Sequence, residues 1–183
     1  MSYVDCREAA ELIQQGKVIA YPTEAVYGLG CDPLNHEAVK QLLKIKQRSI
    51  NKGLILIASD FQQLTPFIQD LTDEQLAPAM KSWPGPFTWL IPANSNTPHW
   101  LTGEHQSIAV RITDHPVAKE LCALTNSALV STSANVDQQQ PATSASECRE
   151  KCPEVNYIVI GDVDKNSQPT SITDLLSGDK IRP

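Results

Sequence analysis

The sequence predicts an α/β protein: a single domain built on a twisted open sheet of mixed strand direction, flanked by helices. Three observations carry this. Short apolar runs alternate with longer segments whose apolar residues recur at helical spacing. Some of the strand-like runs follow one another with no helix between, which a purely parallel sheet does not allow. A chain of 183 residues, 41% hydrophobic and 20% charged, is enough for one well-filled core and too short for two full domains.

The first helix is CREAAELIQQG, with Ala9, Leu12 and Ile13 on one stripe and a stop at Gly16. KVIAYP follows as a short buried strand ended by Pro22, and YPTEAVYGLG then carries Thr23, Glu24, Gly28 and Gly30 into a loop. HEAVKQLLKIKQ is the next helix and GLILIAS the next strand. Helical patterns over 60–70 and 73–82 lead to WPGPFTWL, a proline-rich turn with Trp83, Phe87 and Trp89 in or near the core. Strands FTWLIPA and SIAVRIT, a helix from Pro116 to Leu124 and the strand ALVSTS come next. After an exposed loop at Gln138 to Gln140, a helix around 144–151, a strand YIVIGD and an extended SITDLL complete the order.

Composition excludes several classes. LILIA, the longest apolar run, cannot span a bilayer, and MSYVDCREAAEL lacks the basic start and apolar stretch of a signal peptide, so a cytoplasmic location is expected. The five cysteines are odd in number and scattered, as reduced thiols are; Cys148 and Cys152, with no CxxC and no nearby His, make no zinc ligand set. A net charge of −6 argues against nucleic-acid binding by the whole surface and leaves room for a local basic patch. No G-x-x-x-x-G-K-[ST] occurs, which excludes a P-loop.

Three places hold polar residues where apolar ones belong. Lys46 lies on the same helical stripe as Val39, Leu42 and Leu43, and Arg48 converges with it only if the helix ends near Gln47. Both could instead complement the negative helix end, a contribution of a few tenths to ~1 kcal/mol. In SIAVRIT, Ile108, Val110 and Ile112 alternate with Ser107, Ala109 and Arg111, so a guanidinium stands mid-strand among small neighbours. It needs an anion, either a buried protein carboxylate or the carboxylate or phosphate of a ligand. The run ALV ends in Ser131, Thr132, Ser133 and Asn135, small hydrogen-bonding side chains at a strand's carboxyl end, where open α/β sheets bind ligands. The plainer alternative is that these residues cap the following segment.

YPTEAVYGLGCDP, KIKQRSINKGLILIA, WPGPFTWLIPA, SIAVRITDHP, VSTSAN and the closing IRP stand in the order and spacing of the YrdC-type threonylcarbamoyl-AMP synthases. The chain resembles that family from about Lys17 to Pro183, in its short bacterial form, which implies a single YrdC-like domain over 1–183. The resemblance implies condensation of L-threonine, bicarbonate and ATP into threonylcarbamoyl-AMP with release of pyrophosphate. The product would feed a threonylcarbamoyl transferase complex that modifies the adenosine 3′ to the anticodon in tRNA. Carried over, the family's K-x-R falls on Lys46 and Arg48 and its S-x-N on Ser133 and Asn135, the expected nucleotide and phosphate site and catalytic set. Ser107 and Arg182 are expected at ATP, Thr23 and Arg111 at threonine, and the late serine pair falls on Thr170 and Ser171. Mg2+ is expected with ATP, with no protein ligand assigned to it. The chain departs from the family at Ser49, usually proline, and at Val136, Asp137 and Gln138, where Ser-Gly is usual. Two other functions stand beside this one: a non-catalytic RNA-binding or ribosome-maturation factor using Lys40, Lys44, Lys46, Arg48 and Lys52, and carbamoyl-adenylate chemistry on another amine.

Overall fold

Side-chain caps mark where the helices begin. In the computed structural model, which describes residues 2–164 and 170–182, Asp5 accepts from the Glu8 N–H to start α1 (Cys6–Gln14), and Asn35 accepts from Ala38 to start α2 (His36–Lys46). A reciprocal capping box between Thr72 and Gln75 starts α3 (Asp73–Ser82), and Ser144 starts α6 (Ala145–Lys151). The short α4 (His99–Thr102) was not anticipated; α5 (Pro116–Thr125) begins with proline at its first position.

Among the described residues, ten strands form one sheet. They are β1 (Ser2–Val4), β2 (Ile19–Pro22), β3 (Tyr27–Cys31), β4 (Ile55–Ala58), β5 (Phe87–Pro92), β6 (Ser107–Ile112), β7 (Leu129–Ser133), β8 (Tyr157–Val159), β9 (Ser171–Asp174) and β10 (Lys180–Arg182). Their order is β1-β8-β2-β3-β7-β4-β6-β5-β9-β10. Pairings are mixed: β4–β6, β5–β9, β2–β8 and β1–β8 are parallel, and β2–β3, β3–β7, β4–β7, β5–β6 and β9–β10 antiparallel.

Several expectations are corrected. Gly28 and Gly30 lie in β3, not in a loop, because the chain turns back over Thr23–Val26, where the Thr23 N–H and hydroxyl both donate to the Val26 carbonyl at 3.0 and 2.7 Å. The 60–70 pattern is no helix but two single 3-10 turns, Phe61–Gln63 and Thr65–Phe67, with Pro66 unable to donate to a longer helical ladder. YIVIGD pairs only through Val159, and SITDLL only through Asp174. Strands β1 and β10, absent from the sequence reading, form the sheet's two edges, and Pro183 of the closing IRP lies outside the described residues. Trp83 is buried, but Phe87 is 45% exposed.

Helices cover the two faces unequally. On one, Val39, Leu42 and Leu43 of α2, Ala79 of α3, Leu101 of α4 and Cys148 of α6 pack on Leu29, Leu56, Val110 and Val130. Each fully buried Leu or Ile contributes about 1.5–3 kcal/mol of transfer free energy. On the other, Ala9 and Ile13 of α1 and Ala118 and Leu121 of α5 pack on Ile19, Tyr21, Ile57 and Leu129. Further along the strands no helix among the described residues covers this second face, and along β7 the side chains change from Leu129 to Ser131 and Ser133.

Candidate active site

A cavity of about 560 Å3 occupies that uncovered half. Gly28, Ile55, Leu90, Ala109, Ser131 and Ser133 contribute to its floor from neighbouring strands, and Thr23, Arg48, Lys52, Ser107, Arg111, Thr170 and Arg182 line it as well. Small side chains leave room over the middle of the sheet. Gly30, on the same face as Gly28 and Ser131, makes room for Tyr21: a Cβ there would lie 2.7 Å from both the Tyr21 ring and the Val130 carbonyl oxygen.

The end of α2 builds one wall. Gln47 closes the helix in the left-handed conformation at φ 50°, and Arg48 therefore leaves the helical path and reaches the cavity. Lys46 does not reach it. Lys46 is only 2% exposed, and its ammonium donates to the Ser133 carbonyl at 2.6 Å, the Asn135 carbonyl at 3.0 Å and Asn135 Oδ1 at 3.0 Å. Burial pushes its pKa down to about 8, with repulsion from Arg48 adding. Ser133 Oγ also hydrogen-bonds Asn135 Oδ1 at 2.6 Å, while Asn135 Nδ2 donates to the carbonyls of Val136 and Gln139. Lys46 and Asn135 thus lock the turn behind the wall, and Ser133 faces the cavity. Ser49 stands at φ −64°, the value proline would fix, and its hydroxyl accepts from the Asn51 N–H; the departure at 49 keeps the backbone path.

Arg111 has a protein carboxylate beside it. Its guanidinium lies 3.2 Å from Glu24 Oε2, an ion pair without hydrogen-bond alignment, and Glu24 Oε1 accepts from Thr113 Oγ1 at 2.7 Å. Arg111 Nε is buried with no hydrogen-bond partner among the described residues. Opposite, Arg182 donates twice to the Thr170 carbonyl, at 2.9 and 2.6 Å, and Thr170 Oγ1 bonds Thr88 Oγ1. Desolvation, with the charge of Arg111 second, lowers the pKa of Arg182. Ser171 pairs with Phe87 across β9 and β5, and its neighbours Thr170 and Ile172 are the residues that line the cavity. Among the described residues lining the cavity, Arg48, Lys52, Arg111 and Arg182 are cationic and Glu24 alone is acidic, in a chain of net charge −6.

The Sua5/YciO/YrdC family model, described as "Telomere recombination", matches residues 11–182. The chain belongs to the Sua5/YciO/YrdC family. A threonylcarbamoyl-AMP synthase of Coxiella burnetii (strain RSA 493 / Nine Mile phase I) is 47% identical over 176 residues, 96% of this chain and 95% of the relative. One from Alkalilimnicola ehrlichii is 51% identical over 180 residues, 96% and 94% of the two chains. P. abyssi Sua5 complexed with L-threonine superposes with a TM-score of 0.90 at 29% identity; the match covers 98% of this chain and 56% of Sua5. E. coli YciO, 21% identical, shares the fold with a TM-score of 0.81 over 99% of this chain and 94% of its own.

Within this Sua5/YciO/YrdC fold, sequence reasoning assigned Glu24 no role and placed Lys52 only in the basic patch of the RNA-binding alternative. The signal for Lys52 was the Ser49 cap: the single 3-10 turn Ile50–Lys52 returns the chain toward Arg48. The mid-strand Arg111 itself called for an anion such as Glu24. The expected basic patch divides, since Lys46 is buried and Arg48 and Lys52 face the cavity, where Lys40 and Lys44 do not.

Proposed function

We propose that this protein is a threonylcarbamoyl-AMP synthase that condenses L-threonine, bicarbonate and ATP. The observation that carries the reading is the convergence of four cations on one cavity in an acidic protein, an anion site created by local arrangement against the net charge. In the reaction the neutral threonine amine bonds to the carbon of CO2, one C=O bond opening onto oxygen and the nitrogen losing a proton, or to the carbon of bicarbonate with loss of water, to give a carbamate. A carbamate oxygen then attacks the α-phosphorus of ATP, the bond from that phosphorus to the pyrophosphate oxygen breaks, and pyrophosphate leaves. An anion attacks an anion, so fixed positive charge must be in place beforehand.

Arg48, Lys52 and Arg182 supply that charge at the phosphates, Ser133 and Ser107 orient oxygens and ribose or base, and Lys46 and Asn135 hold the turn that presents Ser133. Threonine lies toward Thr23, Arg111 and Thr170, its carboxylate taken by Arg111 in the bidentate manner arginine favours. Mg2+ accompanies ATP and neutralises pyrophosphate oxygens. Glu24 and Asp137, the carboxylates in and beside the cavity, are both ion-paired, and among the described residues no group of three or more metal-ligating side chains occurs. A Mg2+ ion brought with ATP would be held mainly by the triphosphate and water. The product passes to the threonylcarbamoyl transferase complex that modifies tRNA, in the cytoplasm; among the described residues no helix is long and apolar enough to cross a membrane.

A second reading, RNA binding without catalysis, rests on a separate groove of about 550 Å3 lined by Lys40, Lys44 and Arg48, where the His36 and Trp100 rings lie 4.7 Å apart. The test is pyrophosphate release with each substrate omitted in turn and with other amines in place of threonine. Release that needs threonine, bicarbonate and ATP together supports the synthase. Release with another amine and not with threonine moves the chemistry to that amine. No release, with salt-sensitive RNA binding indifferent to ATP, supports the second reading.

A further inference from the structure

Asp137 stands beside the proposed phosphate seat. Its Oδ1 lies 3.6 Å from Arg48 Nη1, and its Oδ2 is in hydrogen-bonded contact with Lys52 Nζ. The Asp137 N–H donates to the Lys46 carbonyl at 2.8 Å, which fixes its backbone to the last turn of α2. Arg48 is held from another side by the Gly53 carbonyl at 3.1 Å. Both cations line the cavity and Asp137 does not, so the carboxylate meets them from beside the ligand space. The hydrogen bond from Lys52 holds the Asp137 carboxyl below the usual carboxylate range, and it is anionic at neutral pH.

We infer that Asp137 is an internal counter-anion of the phosphate site, which weakens the hold of Arg48 and Lys52 on ATP and on pyrophosphate and so sets how readily the pyrophosphate product leaves. The inference rests on the reading that phosphates bind at Arg48 and Lys52. Two effects oppose one another. The carboxylate orders two long side chains, which favours binding, and it cancels part of their charge and repels a polyanion, which disfavours it. The ordering is modest because Lys52 is 44% exposed and Arg48 25%. The repulsion acts on every charge of pyrophosphate at once and prevails.

The experiment is calorimetric titration of the whole protein with inorganic pyrophosphate, and separately with ATP, for wild type, Asp137→Asn, Arg48→Ala and the double variant. Asparagine keeps an oxygen that can accept from Lys52 and removes only the charge. Asp137→Asn is expected to bind pyrophosphate about three- to fivefold more tightly, the size of one screened charge contact. This gain should shrink in the Arg48→Ala background, because two groups acting through each other are not additive. Unchanged or weaker pyrophosphate binding in Asp137→Asn, with Arg48→Ala clearly weakened, overturns the counter-anion role and leaves the phosphate site standing. Pyrophosphate affinity unchanged in Arg48→Ala removes the phosphate site and this inference with it. Should Asp137→Asn fold poorly by thermal melting, Asp137→Ser is measured against the same outcomes.

Discussion

Lys46 directs its ammonium to three oxygens, two of them in the peptide backbone between Ser133 and Asn135, and none of the three belongs to a ligand. The sequence placed it on the buried stripe of α2 beside Arg48, and from sequence both were expected to serve a ligand charge at little cost to the apo protein. The structure separates them. Removing the Lys46 ammonium takes the donor from the buried Asn135 carbonyl, leaves the Ser133 carbonyl and Asn135 Oδ1 with only the Asn135 N–H and Ser133 Oγ, and unties the turn, whereas Arg48 is a quarter exposed and loses one carbonyl contact and a long ion pair. Lys46→Met is expected to lower unfolding free energy by about 2–4 kcal/mol, and Arg48→Ala by less than about 1 kcal/mol. Denaturant unfolding of the apo protein measures both; equal small losses would place Lys46 in the cavity after all. Residue types at this site were legible in the sequence and their division of labour was not, because a helical stripe gives direction without saying what waits at the end of a long side chain.

Strand β3 is the element that sequence patterns concealed. Two glycines in five residues lower strand propensity, and Tyr27-Gly-Leu-Gly-Cys31 has none of the β-branched residues that mark a strand. The glycines are there for close approach. β3 lies between β2 and β7, with Gly30 opposite both Ile19 and Ser131, and a methyl group at Gly30 would meet the Tyr21 ring and the Val130 carbonyl. Gly30→Ala is thus an overpacking change in the centre of the sheet, expected to cost about 1–3 kcal/mol and to lower the thermal midpoint. A midpoint within a degree of wild type would show that β2 and β7 give way easily. β6, by contrast, was readable, since its alternation reports one covered face and one polar face directly: Ile108, Val110 and Ile112 against Ser107 and Arg111.

At the scale of the molecule, strand order brings the site together. Thr23 follows β2, Arg48 follows α2, Arg111 sits on β6, Ser133 ends β7 and Arg182 ends β10, so residues separated by up to most of the chain line one cavity. Local pattern could indicate each strand, but not that β7 would lie between β3 and β4, nor that β9 and β10 would complete the sheet beyond β5. Nor could it show that α1 and α5 cover one face only in part, which is what leaves Ser131 and Ser133 over open space. The central claim is that this cavity joins a threonine carbamate to AMP. The most direct measurement supplies the purified protein with threonine, ATP, Mg2+ and carbon-13 bicarbonate and weighs the adenylate formed. The account predicts a threonylcarbamoyl-AMP one mass unit heavier than that made from ordinary bicarbonate, formed together with pyrophosphate. Pyrophosphate release without label in the adenylate, or no adenylate from a folded protein, would contradict it.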